Sequence, residues 1–363
     1  MPKFLYPILL TAVFLPVWLS FTQALLERPA VAAAEPAPGR MVERGQRLER
    51  EKRFLMRALD DLKDERRMTE DDIGELEKQI DAITPLESAR RTDDFQELLD
   101  WHYGYLDWLG EQSAEFEADL AQLSASAPAG GESWENRYAR MAKKQKELVR
   151  ELGGKVKRYS AEEKRLAGIL DRRLLLQARF LDMEEQLARI EKKLADQQRP
   201  LSDKEKETAK RLRVDVRVVQ TELLSLPEVD EDILKHYAVM VERGRWKSDW
   251  LELNTEEYEA LRAVAAVISL DAGRNAAAME TAYRRIIRTL ESGTNRLNRK
   301  IDELDRKESR VSPAGSLRQM DRSRELLDFY GGLRVKYDDR IRRLKTRIGA
   351  YEAELAEILS ARP

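Results

Sequence analysis

Apolar residues recur at alternating steps of four and three along most of this chain. Leu48, Lys52, Leu55, Leu59, Leu62, Arg66, Thr69, Ile73, Leu76, Ile80 and Ile83 form one such stripe, with Lys52, Arg66 and Thr69 as polar interruptions. Leu166, Ile169, Arg173, Leu176, Phe180, Met183, Leu187, Ile190 and Leu194 form a second. Tyr283, Ile287, Leu290, Thr294, Leu297, Ile301 and Leu304 form a third, and Leu327 through Ile358 carry a fourth. Sustained 3-4 spacing between charged flanks predicts long helices with coiled-coil seams. Each stripe needs a facing helix, because a single helix cannot shield it. Residues 214–219 alternate valines like a strand. They also sit inside the helical stripe Leu212, Val216, Val219, Leu223 and Leu226, so helix is expected there too.

Breakers divide the stripes. Thr84-Pro85 and Ser312-Pro313 predict turns, since the residue before proline avoids helix. SASAPAGG at 124–131 predicts a linker. Ser202, with Glu205 three residues on, predicts a capped helix start, and Leu226-Pro227 its end. Gly153-Gly154 and Asp271-Ala272-Gly273 are candidate kinks or breaks. Residues 228–243 are expected to form a shorter helix and 245–254 a loop or turn holding Trp246 and Trp250. A long helix is expected to follow it, to about Ser309.

Shifting 73–100 by 228 residues superposes it on 301–328 with 11 identities in 28 positions, among them Pro85 on Pro313 and Glu97-Leu98-Leu99-Asp100 on Glu325-Leu326-Leu327-Asp328. The stripe phase is shared. This is an internal repeat whose unit is helix, Pro-containing turn, helix. The expected fold is all-α, built of extended antiparallel helical hairpins. Residues 46–124 form the first hairpin, 125–134 a linker, and 135–227 the second hairpin. Residues 228–254 form a short helix and Trp-containing turn, and 255–360 the third hairpin, repeating the first.

The first forty residues change the picture from fold to location. Lys3 precedes a run without charge from 4 to 26, and 35–45 is rich in Pro and Gly at its start, as a flexible linker would be. Ala32 and Ala34 fit the small-x-small rule for signal-peptide cleavage after Ala34. The run is also long enough to span a bilayer as an uncleaved anchor. Either way, residues 40–363 are expected outside the cytoplasm, in the periplasm of a bacterium. Membrane contact is expected only through 4–26, if uncleaved.

Composition then narrows the chemistry. Charged residues make up 36% of the chain, yet 65 basic and 67 acidic residues leave a net charge of only −2. Bulk attraction to nucleic acid is therefore not expected. There is no cysteine, hence no disulfide, thiolate metal site or cysteine nucleophile. Two histidines, His102 and His236, leave little material for a triad or a histidine metal site. Acidic pairs such as Asp60-Asp61 and Asp71-Asp72 suit surface ion pairs better than a glycosidase cleft. No cofactor, metal or catalytic residue is expected.

The candidate partner contacts are aromatic: Trp101, Tyr103, Tyr105, Trp108, Trp246, Trp250, Phe329 and Tyr330. Trp and Tyr are enriched in binding hot spots; the competing reading is bulky packing where hairpins meet. The basic run from Arg334 to Arg347 suggests either a solvated helix face or contact with an anionic surface. Together these features point to a non-enzymatic scaffold or adaptor of the cell envelope, working through protein partners or self-association. The alternatives are an accessory element of a membrane channel or transport complex, and a coiled-coil activator or chaperone of envelope enzymes.

Overall fold

The computed structural model describes residues 38–81, 89–125, 132–197, 202–229, 231–310 and 317–360. Ala32, Ala34, the run 4–26, both Pro-containing turns and most of the 124–131 linker lie outside these residues. The chain separates into two units, 1–45 and 46–363, and all contacts below belong to the second.

Among the described residues the chain is all-helical, with seven helices and no strand: α1 Pro38–Asp81, α2 Ala89–Ser124, α3 Trp134–Gln197, α4 Asp203–Ser225, α5 Glu231–Ala265, α6 Ala272–Arg310 and α7 Leu317–Ser360. None of these is long and apolar enough to cross a membrane. The expected linker at 35–45 is already helical from Pro38, a position proline suits because the first helical N–H needs no partner. Local signals set several ends. Ser202 Oγ accepts from the Glu205 amide while Glu205 Oε2 accepts from the Ser202 amide, a complete capping box. Leu226, before Pro227, is extended and ends α4. Asp271 Oδ1 accepts from the Gly273 amide at 2.8 Å, capping α6 after the turn that follows α5.

Three of these helices depart from expectation. The long helix expected after 254 to about Ser309 is instead the end of α5, a break at 266–271 and then α6 from Ala272. Gly153-Gly154 neither kinks nor breaks α3, which runs for 64 residues, about 96 Å at 1.5 Å per residue. The expected Trp-containing turn at 245–254 is the middle of α5, an uninterrupted 35-residue helix. The physical reason lies in its surroundings. Trp246, Lys247, Trp250, Leu251, Leu253, Asn254, Thr255 and Glu257 are all buried. A helix packed over most of its circumference, with only a narrow wet line at Arg245, Glu252 and Arg262, has little polar face and only a weak stripe to detect.

What covers α5 is five other helices. Arg243 and Lys247 reach Glu75 and Glu65 on α1. Tyr237 donates to Asp94 on α2. Gly244 brings the α5 backbone against Val156 of α3. Lys300 and Lys307 of α6 pair with Asp249 and Glu242, and Arg340 of α7 pairs with Glu257. The order of these contacts sets the directions: α1, α3 and α6 run antiparallel to α5, while α2 and α7 run parallel to it.

The stripe of α1 is buried at Leu55, Leu59, Leu62, Ile73 and Leu76. It closes on a shared core containing side chains of α2, α3, α5, α6 and α7. The polar interruptions differ in fate: Thr69 is buried, whereas Arg66 is exposed beside Glu70. Only α3 leaves the bundle. Its C-terminal half pairs with α4 over a separate small core of Leu176, Met183 and Val219. The pairing is antiparallel, as Arg213–Glu191 at 2.9 Å and Arg172–Glu222 show.

Candidate functional site

The aromatic candidates fall mostly inside the protein. Trp101, Tyr105, Trp246, Trp250 and Tyr330 are buried, Trp108 and Phe329 are half-buried, and Tyr103 alone is exposed. Tyr103 Oη donates to Glu77 of α1. Tyr105 stacks between Trp101 and Trp108, each at 5.8 Å. The expectation of an open aromatic contact surface is therefore corrected for the five buried rings. Most of the ring faces that could take a partner's cation already hold this protein's own. Lys247 lies over Tyr105 at 5.1 Å, Lys336 over Trp246 at 5.0 Å and Arg340 over Trp250 at 4.9 Å. Arg243 lies over Phe329 and Lys307 over Tyr330.

Those cations are one half of a buried ionic cluster that sequence reasoning missed. Lys247, fully buried at the middle of α5, donates to Glu65 Oε1 at 3.3 Å and to Thr69 Oγ1 at 3.2 Å, and lies 3.6 Å from Asp72 Oδ2. Glu65 also accepts from Trp250 Nε1 and from Tyr105 Oη at 3.1 Å, and Gln145 of α3 donates to that same Tyr105 oxygen at 2.9 Å. Asp72 takes a second cation, Lys336 of α7, at 2.9 Å. Four helices besides α5 thus meet at one lysine and two carboxylates.

Burial pushes the Glu65 carboxyl up, but Lys247, Arg340 and the Trp250 N–H outweigh it and hold the group below the usual range. Asp72 follows the same pattern through Lys247 and Lys336. His102 lies nearby, its Nδ1 2.9 Å from the Leu98 carbonyl. Burial, with Lys247 close by, drives it down to about 4 against the pull of Asp72. The imidazole is therefore neutral at pH 7, and Nδ1 is the nitrogen that donates to Leu98.

A second cluster lies one to two turns away. Arg340 donates to Glu257 at 2.9 Å and to Asn254 at 3.0 Å. Arg347 pairs with Glu257 and with Asp61, the latter at 3.1 Å. Burial, with Glu257 close by, pushes the Asp61 carboxyl up to about 6 against the pull of Arg347. The basic run of α7 is thus divided: Arg334, Arg342 and Lys345 lie on a solvated face, while the other four turn to the protein's own carboxylates. Arg340 and Arg347 are buried, and Lys336 and Arg343 pair with Asp72 and Asp64 of α1. The one available signal was reciprocal: an acidic row on α1 (Asp61, Asp64, Glu65, Asp72, Glu75) of the same length as the basic row on α7.

This arrangement is chemically suited to fixing register. Every charge points at an opposite charge or a ring, and the centre is packed shut. Among the described residues no group of three His, Asp or Glu side chains could hold a metal ion. The cavities are open grooves, one of about 520 Å³ between α5 and α6 lined by residues such as Glu256, Arg285 and Arg288. Exposed apolar side chains stand singly on the bundle at Met56, Leu327 and Val335, and gather on the α3–α4 arm at Leu174, Leu175, Leu181, Val214, Val218 and Leu224. No family model, curated protein or solved structure matches this chain.

Proposed function

We propose that this chain is an exported, non-enzymatic scaffold or adaptor of the cell envelope, built of repeated helical hairpins with coiled-coil packing and acting through helix-face contacts with protein. The observation that carries this reading is the arm. Its two helices spend one face each on their own seam and leave a second apolar row on the opposite face. Exposed leucines and valines gathered on a slender projection mark an interaction surface when none of the described residues covers them. The bundle supplies the complementary property, a base whose central charges Lys247, Glu65, Asp72, Arg340 and Glu257 are paired internally.

A second reading, the accessory element of a membrane channel or transport complex, is favoured by the uncharged run at 4–26. Retained, that run tethers the base and fixes the arm's partner in the same membrane. Intact mass of the protein from separated periplasm and membrane discriminates the two. A chain starting at Glu35 in the soluble fraction supports the diffusible scaffold; a full-length chain in washed membranes supports the tethered accessory.

The docking reading itself is tested by placing a photo-crosslinking residue at Val218 in cells. A discrete protein adduct is expected from Val218 and none from the exposed bundle position Asp60. Equal adducts at both positions, or none at Val218, overturn it.

A further inference from the structure

The two outer faces of the arm are not alike, and their difference names an occupant. On α3, Leu174 and Leu181 stand about half a turn around the helix from the buried Leu176 and Met183. Their row, completed by Ala178, is flanked by Asp171, Asp182 and Glu185, all exposed; Glu185 also pairs with Arg189 one turn on, and Asp182 accepts from Gln186, which leaves the row acidic on balance. On α4, Val214 and Val218 stand about half a turn from Val216 and Leu223, which face α3. Their row is flanked by Lys210, Arg211 and Arg217, three cations against two carboxylates, the exposed Glu207 and the half-buried Asp215. Those three cations make no hydrogen bond or ion pair among the described residues, in a protein that pairs most of its cations. Leu181 is 64% and Val218 59% exposed, more than half of each side chain in water.

Each helix turns its other side to its arm partner, so the acidic-apolar row of α3 and the basic-apolar row of α4 point away from each other. One arm cannot satisfy its own rows; a second arm can. We propose that the occupant of the α4 row is the α3 row of a second copy of this chain. Val214 and Val218 pack on Leu174 and Leu181, and Lys210, Arg211 and Arg217 face Asp171, Asp182 and Glu185. This rests on the helix-face docking reading above and names its partner.

The contact is heterologous, since different surfaces meet. Each pairing leaves one α3 row and one α4 row free, and assembly continues until a ring closes. A helix of 23 residues is only about 35 Å long, so a single contact is smaller than a standard interface and assembly depends on concentration.

The test uses the full chain as isolated from cells, followed by sedimentation velocity over a concentration series. The expected result is a mass that rises with concentration and falls back to one copy in Leu181→Ser and in Val218→Ser. Two charge-reversed chains provide the decisive arm. The first carries Lys210→Glu with Arg211→Glu, the second Asp182→Lys with Glu185→Lys. Each alone is expected to remain a single copy, because its α3 and α4 rows then share a sign. Mixed, they are expected to assemble, because the reversed α4 row of one meets the reversed α3 row of the other. All chains share residues 1–45, so association through that segment is common to every sample. A wild-type mass of one copy at all concentrations overturns the proposal, as does failure of the mixture to assemble. A single-copy wild type that still gives a Val218 adduct with a different protein overturns the second copy and leaves the docking reading standing. The absence of any Val218 adduct removes that reading as well.

Discussion

The α5-centred bundle and the α3–α4 arm use the same helical material in opposite ways. In the bundle, a central helix bearing Arg243, Lys247, Glu257 and two tryptophans is wrapped by five others, and its charges are neutralised inside. In the arm, two helices share a seam with little more than Leu176, Met183, Ala209 and Val219 buried. The bundle commits its polar groups to a single packing, since a displaced Lys247 would strand Glu65 and Asp72 in a dry interior. The arm commits little and leaves its outer rows for something else. Charge placed at the centre of a bundle specifies register, while apolar surface placed at the edge of a thin arm specifies contact.

The largest break in this contrast comes from Lys247→Met. Removing one partner of a buried pair costs about 3–5 kcal/mol, here by leaving Glu65 and Asp72 uncompensated. Denaturant titration should show that loss, with Val218→Ser in the arm changing stability by less than about 0.5 kcal/mol. Equal costs for the two would erase the distinction between the regions.

Leu176→Ala empties part of the arm's small core and should cost about 2–4 kcal/mol. The loss should be local. Hydrogen exchange is expected to accelerate across α4 and the distal half of α3 while α5 amides keep their protection. Acceleration in both regions would make the arm part of the bundle's cooperative unit.

The bundle should also carry a pH dependence that the arm lacks. His102 has its pKa depressed by burial, so its contribution to stability is complete above about 6.5 and is lost as pH falls towards 4. From pH 7 to pH 5 this amounts to about 2 kcal/mol. Asp61 works with the opposite sign: its raised pKa gives stability that is lost as pH rises through about 6. The two partly cancel in the wild type. His102→Gln should therefore gain stability on acidification relative to wild type, and Asp61→Asn should lose it. Parallel pH profiles for all three proteins would rule out both assignments.

Gly244→Ala sharpens the account of the α3–α5 contact. A Cβ at this position would overlap Val156 Cγ2. A β-branched side chain cannot swing its methyl far, so overpacking should cost about 1–3 kcal/mol, read by thermal denaturation. The smallest effect belongs to the arm: Arg213→Ala removes an exposed pair with Glu191 and should cost at most about 0.5 kcal/mol.

The elements visible beforehand were those with a water-facing side. The stripes of α1, α3, α6 and α7 could be counted because one face is wet and the other dry. The Ser202 capping box and the Leu226-Pro227 stop were local chemistry, independent of tertiary context. The middle of α5 escaped because burial over most of its circumference weakens the contrast that periodicity measures. The aromatic clusters were found as residues but misplaced as surfaces, since nothing local says which cation will cover a ring. The arm's outer rows were present as Leu174, Leu181, Val214 and Val218, but a leucine's exposure depends on which helices pass beside it.

The sequence by itself determined that the described chain is helical, where several helices begin and end, and that no cysteine chemistry is open to it. These follow from periodicity, capping and composition, which act over a few residues. Only the tertiary structure decided that α5 is the axis, that α7 spends its arginines on α1 and α5, and that the α3–α4 arm stands apart with two rows uncovered. Those outcomes depend on contacts between residues 40 to 300 positions apart. Their energies come from desolvating many groups together, and no local pattern encodes which of them share a centre.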